Sequence, residues 1–228
     1  MIFFYRLLIN IIFILSPIIL IVRLIKKKED IIRFKEKFGF FSSYRKKGQL
    51  IWFHGASVGE IQSILPIIEI LEKKNEINQI LITSNTVSSS KIISKLKLKK
   101  TIHQFFPLDT NFLTKKFLNH WRPNSVVFVD TEIWPNTVYN INKRGIPLII
   151  VNGRISKKSF NRWKMFPNFA KEIFCKFDFC ISCNEISKKY FQKLGLMKVK
   201  YFGNLKFAQS ELNKFSLDER LKKFISKK

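Results

Sequence analysis

The chain has 228 residues, enough to bury a full core as one domain of ordinary size with an appendage. Its 42 Lys and Arg against 16 Asp and Glu leave a net charge of +26, but the basic residues form no recognition-helix or RNP-type pattern, which argues against a dedicated nucleic-acid binder. Lys, Ile, Asn and Phe are abundant together and all have A/T-rich codons, so biased base composition accounts for basicity of this kind without nucleic acid as a partner.

From Leu7 to Val22 no residue is charged, and these 16 residues cover roughly 24 Å as a helix, short of a hydrocarbon core of roughly 30 Å. Counted from Ile2, with Arg6 reaching for the interface and Pro17 tolerated as a kink, the run attains a spanning length. An anchor helix is therefore expected over residues 1–25. No small-residue cleavage pattern follows, which disfavours a signal peptide. Between Arg23 and Lys47 stand ten Lys or Arg against three acids, which places the body of the protein on the cytoplasmic side. The competing reading is a hydrophobic helix packed on the domain or lying in the membrane interface.

After Gly48 short apolar runs recur at Leu50 to Phe53, Gln79 to Thr83, Ile102 to Phe106, Val126 to Val129, Leu148 to Val151, Phe177 to Ser182 and Val199 to Phe202. Most are separated by segments of helical period: Ile61, Ile64, Leu65, Ile68 and Leu71, then Phe112, Lys116, Phe117 and Trp121 on a mixed face. Strands alternating with helices predict an α/β fold, a doubly wound parallel sheet with right-handed crossovers. The tail from Ala208 reads as an amphipathic helix or a frayed end.

Three polar segments follow strand-like runs, where such sheets bind ligands. In Gly55 to Glu60 the chain turns on two glycines into a helix. Ser57-x-x-Glu60 fits a capping box, in which Glu60 merely completes the cap; the functional alternative is a carboxylate able to take a proton from an attacking hydroxyl. In Asp130-Thr131-Glu132-Ile133-Trp134-Pro135-Asn136, Pro135 suits a first helical turn, and Asp130 and Glu132 share a face where the strand pleat persists; the plainer reading is a pair of exposed turn acids. Lys206, after Gly203-Asn204, and Arg154, in Asn152-Gly153-Arg154, are candidate contacts for an anion. Cys180-x-x-Cys183 sits in a core-like strand with no nearby fourth ligand, so Cys175, Cys180 and Cys183 read as reduced, buried thiols rather than a metal site. No Walker loop, G-x-G-x-x-G, H-E-x-x-H or nucleophile elbow occurs.

Together and in this order, Ser-Val-Gly-Glu at 57–60, Thr-Glu-Ile-Trp-Pro-Asn at 131–136, Asn-Gly-Arg at 152–154 and Gly-Asn-Leu-Lys-Phe at 203–207 resemble the N-terminal half of the bacterial 3-deoxy-D-manno-octulosonic acid (Kdo) transferases, from about Arg23 to Phe207. The resemblance implies a GT-B glycosyltransferase whose Rossmann-like N-terminal domain, residues 26–207, takes the lipid acceptor. The CMP-sugar would be held by a C-terminal domain absent after the 208–228 tail, with a separate chain as one source of it. It implies inverting, metal-independent and cofactor-free transfer of Kdo from CMP-Kdo to the lipid A precursor, lipid IVA, at the cytoplasmic face of the bacterial inner membrane. Glu60 would be the general base, Asp130 and Lys206 would stabilise the transition state, and Ser57, Gly59, Glu132 and Arg154 would contact substrate. The family pattern has Glu at 130 and Ala at 153. A different class, a non-catalytic membrane-associated module that binds lipid A, fits the same residues.

Overall fold

The computed structural model describes residues 1–26, 28–96 and 98–202, so Lys206 and the 208–228 tail lie outside the described residues. A 24-residue helix, α1 (Ile2–Ile25), is followed by a 3₁₀ turn at Arg33–Phe38. The chain then alternates: β1 (Gln49–His54), α2 (Val58–Glu72), β2 (Ile77–Ser84), α3 (Val87–Lys95), β3 (Thr101–Phe105), α4 (Asn111–Trp121), β4 (Ser125–Val129), α5 (Pro135–Asn142) and β5 (Leu148–Gly153). Two helices, α6 (Lys157–Lys164) and α7 (Pro167–Phe174), lead into β6 (Phe179–Ser182), and α8 (Glu185–Lys193) precedes β7 (Val199–Tyr201).

The seven strands form one sheet in the order β3-β2-β1-β4-β5-β6-β7, every pairing parallel. This is the predicted Rossmann-like doubly wound sheet, with all seven runs realised as strands. Central strands buried on both faces read as continuous apolar runs, and residues 50–54 of β1 are all buried. One face carries Trp52, Val126, Phe128, Leu148 and Ile150 against α4, α5, α7 and α8; the other carries Ile51, Phe53, Ile80, Ile82 and Val127 against α2 and α3.

Ile61, Ile64, Ile68 and Leu71 form the buried stripe of α2, as their spacing predicts. In α4 the stripe is Leu113, Phe117 and Trp121, flanked by Thr114 and Leu118, whereas Phe112 and Lys116 face solvent. The expected mixed face is thus shifted by one residue at its start, because Leu113 rather than Phe112 lies one turn before Phe117. Cys180 and Cys183 are buried free thiols, but Cys175, at the C-cap of α7, is exposed.

The chain leaves β1 toward α2 on one face and β4 toward α5 on the other. Adjacent strands whose connections depart in opposite directions open a crevice at their carboxyl ends, and doubly wound sheets place ligands there. Here that switch point lies between β1 and β4.

Candidate active site at the switch point between β1 and β4

The loop from β1 delivers Glu60. Ser57 is the N-cap of α2, with extended backbone, and its hydroxyl oxygen accepts the Glu60 N–H at 3.4 Å while donating its own proton to Glu60 Oε1 at 2.7 Å. Glu60 Oε2 accepts the Ala56 N–H at 2.7 Å. This is the capping box in outline, with the reciprocal bond reaching one residue further back than the usual cap amide. Gly55 makes room for it: a Cβ there would stand 3.2 Å from Glu60 Cβ and from Ile61 Cδ1. Gly59 sits half-buried in the first turn, and Ser57 is exposed.

The loop from β4 delivers the other acids. β4 ends at Val129, and Asp130 takes φ +63 while its N–H still donates to Val151 O at 3.1 Å. The left-handed residue breaks the pleat, so the expectation that Asp130 and Glu132 share a strand face is corrected: a turn, not a strand, separates them. Glu132 is half-buried and accepts the Trp134 indole N–H at 3.0 Å, an N–H that also lies 3.0 Å from His54 Nε2. His54 is fully buried at the end of β1, stacked on Phe106, with Nδ1 2.9 Å from Thr83 Oγ1. With the indole N–H directed at Nε2, the imidazole proton belongs on Nδ1 and is donated to Thr83.

Glu132 and Asp130 both lie within electrostatic reach of Glu60. Burial pushes the Glu60 carboxyl above the usual carboxylate range; Glu132 and Asp130 push it the same way, against the Ser57 hydroxyl and the Ala56 amide. A half-buried carboxylate at a strand edge, facing like charges and raised toward neutrality, suits a general base.

Arg154 follows β5 and is exposed. The Cys183 thiol, just past the end of β6, is pushed up by burial and by Asp130 and drawn back by its contact with Ser187 and by Arg154. Gly153 is sterically required here, since a Cβ would meet Cys180 Sγ and Ile150 Cγ2 at 2.9 Å.

Asp109, which the sequence reading passed over, builds the second loop. It is almost wholly buried after β3 and accepts the Asn136 N–H at 2.9 Å, the Thr137 N–H at 2.9 Å, the Thr137 hydroxyl at 2.6 Å and the Tyr5 hydroxyl at 2.8 Å. The N-cap of α5 is Trp134, which supplies no side-chain cap; Asp109 caps that helix from 27 residues away. Asn136 donates from Nδ2 to Asp109 O at 2.6 Å and accepts from Arg6 Nε at 3.0 Å, so the motif's Asn serves architecture. The signal was the acid in Pro107-Leu108-Asp109-Thr110, a fourth polar segment after a strand.

Residues 32–209 match the family model described as 3-deoxy-D-manno-octulosonic-acid transferase (kdotransferase). The chain belongs to the Kdo transferase family. The 3-deoxy-D-manno-octulosonic acid transferase of Rickettsia bellii is 38% identical over 203 residues, covering 88% of this chain and 48% of that protein. That of Haemophilus influenzae is 29% identical, over 85% of this chain and 45% of the relative. The chain thus spans about half the length of the family members it matches. Among solved structures, a UDP-GlcNAc 2-epimerase from Neisseria meningitidis bound to UDP-GlcNAc superposes with a TM-score of 0.50 at 16% identity, covering 77% of this chain and 53% of that one. A putative epimerase from Listeria monocytogenes gives 0.51 at 14%, covering 78% and 51%. These likenesses concern the fold, a Rossmann-like domain of the GT-B kind.

Proposed function

We propose that this chain is the acceptor-binding half of a Kdo transferase that moves Kdo from CMP-Kdo to a hydroxyl of the lipid A precursor, lipid IVA, in lipopolysaccharide synthesis, at the cytoplasmic face of the bacterial inner membrane. In the proposed step Glu60 takes the proton of the acceptor hydroxyl. The freed oxygen bonds to the anomeric carbon with inversion, and the CMP phosphate leaves with the electron pair of the broken C–O bond. To act as base, Glu60 exchanges the Ser57 hydroxyl for the acceptor's, so cap and base are two states of one side chain. Asp130 faces the positive charge that develops on the sugar ring in an oxocarbenium-like transition state, and Lys206 the negative charge on the leaving group. Ser57, Gly59, Glu132 and Arg154 line the acceptor and sugar positions. No metal or cofactor takes part. CMP is bound by a second domain, on a continuation of this chain or on a separate one.

The observation that carries the reading is the placement of Glu60, with its raised pKa, beside two further acids at the switch point of a Kdo transferase domain. The test is to incubate the purified protein, with and without the donor-binding half of a relative, with CMP-Kdo and lipid IVA. Kdo-bearing lipid formed with the donor half supports transfer. Tight lipid IVA binding with no transfer under either condition favours the second reading, a lipid A-binding module, which the half-length match to relatives keeps in play.

A further inference from the structure

The faces of α1 are not equivalent. Ile2, Tyr5, Ile9, Phe13, Ser16 and Leu20 are covered wholly or partly by the domain, at steps of three and four residues that trace one stripe down the helix. Phe3, Leu7, Ile14, Ile18, Ile21 and Ile25, on the remaining faces, are between 54% and 76% exposed.

Both ends are tied down by polar contacts that a crossing helix would lose. At the first turn Tyr5 donates to Asp109 and Arg6 to Asn136. Midway, Phe13 meets Phe38 edge to face. At the last turn Arg23 Nε donates at 2.5 Å to Glu29, whose buried carboxylate also takes Lys37 Nζ at 2.6 and 2.7 Å. A helix of about 36 Å that touches the domain from end to end cannot stand upright in a bilayer unless the domain's hydrated loops enter hydrocarbon with it.

The same ties reach the acids. Lys37 Nζ lies 3.4 Å from Asn85 O, and Asn85 N–H donates to Ala56 O, in the residue whose N–H holds Glu60. Asp109 fixes Asn136, two residues from the Trp134 that holds Glu132.

Resting on the reading that the protein works at the membrane, we propose that α1 does not span the bilayer. It lies in the plane of the cytoplasmic leaflet, one face on the domain and the other among acyl chains, and presents the Glu60 edge to an anionic lipid surface. Lys26 and Lys28, exposed just past the last turn of α1, suit anionic headgroups.

The test places a polar tag with a protease site before Met1 of the full chain and digests intact spheroplasts and inverted inner-membrane vesicles. Cleavage confined to inverted vesicles supports the in-plane helix. Cleavage confined to spheroplasts means that α1 spans, which overturns the inference and leaves the membrane reading standing. Protein recovered in the soluble fraction overturns both. In parallel, Ile14→Glu, on the exposed face and so harmless to the fold by circular dichroism, should lower co-sedimentation with phosphatidylglycerol vesicles about tenfold. Unchanged sedimentation would mean that the helix is not embedded, and the inference fails.

Discussion

Replacing Glu60 separates its two roles, because Gln preserves the cap and removes the base. A Gln side chain can turn its carbonyl oxygen to the Ala56 N–H and its amide to Ser57 Oγ, so both contacts at 2.7 Å survive. The charge that is removed interacts with the helix N-terminus by about 0.3–1 kcal/mol, but burial and the facing Glu132 and Asp130 outweigh that interaction, which is why the Glu60 pKa is raised. Glu60→Ala deletes both contacts and should cost about 1–2 kcal/mol. In a domain of this size that lowers Tm by roughly 3–6 °C for Ala, whereas Gln, which keeps both contacts and removes a charge the fold disfavours, should leave Tm unchanged or slightly raised at neutral pH. Transfer of Kdo to lipid IVA, assayed with the donor-binding half supplied, should fall in both variants by roughly 10²- to 10⁴-fold. The pH dependence gives a second check. The folded-state pKa of Glu60 is raised, so its contribution to stability is fully present below the unfolded value and is lost as pH rises through the folded value. Gln does not titrate, so the stability difference should move in favour of Glu60→Gln as pH rises. Near-normal transfer by Glu60→Gln would refute the assignment of the base. A Tm loss in Gln equal to that in Ala would refute the geometry of the cap.

Two further titrations act with opposite sign. Burial pushes Asp109 from 3.8 up to about 6, so its contribution is present below 3.8 and lost as pH rises through about 6. Relative to Asp109→Asn, the wild type should therefore gain up to about 3 kcal/mol in urea unfolding between neutral pH and pH near 4, and parallel pH profiles for the two proteins would refute this. His103, held neutral by burial and by Arg33, has its pKa lowered from 6.5 to about 3, so its contribution is present above 6.5 and lost as pH falls toward 3. Its Nδ1 faces Arg33 and its Nε2 faces Ser84, contacts a Gln can reproduce. His103→Gln should accordingly shift the midpoint of acid unfolding to lower pH, and an unmoved midpoint would count against a buried neutral imidazole.

The strands were legible because a parallel sheet covered on both faces leaves uninterrupted apolar runs, and residues 126–129 could hardly be anything else. Glu60, Asp130 and Glu132 were legible as polar residues directly after such runs. Strand order was not, since nothing local says that β4 returns to lie beside β1, and without that order the acids cannot be known to meet. Asp109 escaped notice because its work is done at α5, far along the chain, for a helix whose own N-cap residue is a tryptophan. The stripe on α1 was invisible for a different reason. An apolar side chain suits a protein face and a lipid face equally, so hydropathy has no period there to read.

The acids at the switch point stand out against the way this chain uses its other buried carboxylates. Glu29 faces Lys37 and Arg23; Glu36 takes the Arg33 guanidinium, the Ser42 hydroxyl and the Phe105 amide; Asp109 takes four donors. In a protein with 42 Lys and Arg, an acid left facing acids is not there for want of a cation. Yet among the described residues neither Glu60 nor Glu132 pairs with a Lys or Arg, Glu132 lying 3.6 Å from the His54 imidazole, and Glu132 raises the cost of charging Glu60. A structural role would be served as well by a neutral cap at 60 and by a neutral acceptor for the Trp134 indole at 132. The arrangement costs stability with the site empty, and it becomes favourable once a positive charge develops between the acids, as on a sugar losing its leaving group. The same field keeps the Glu60 proton affinity high enough to take a hydroxyl proton, so one group of acids would serve both halves of the proposed step.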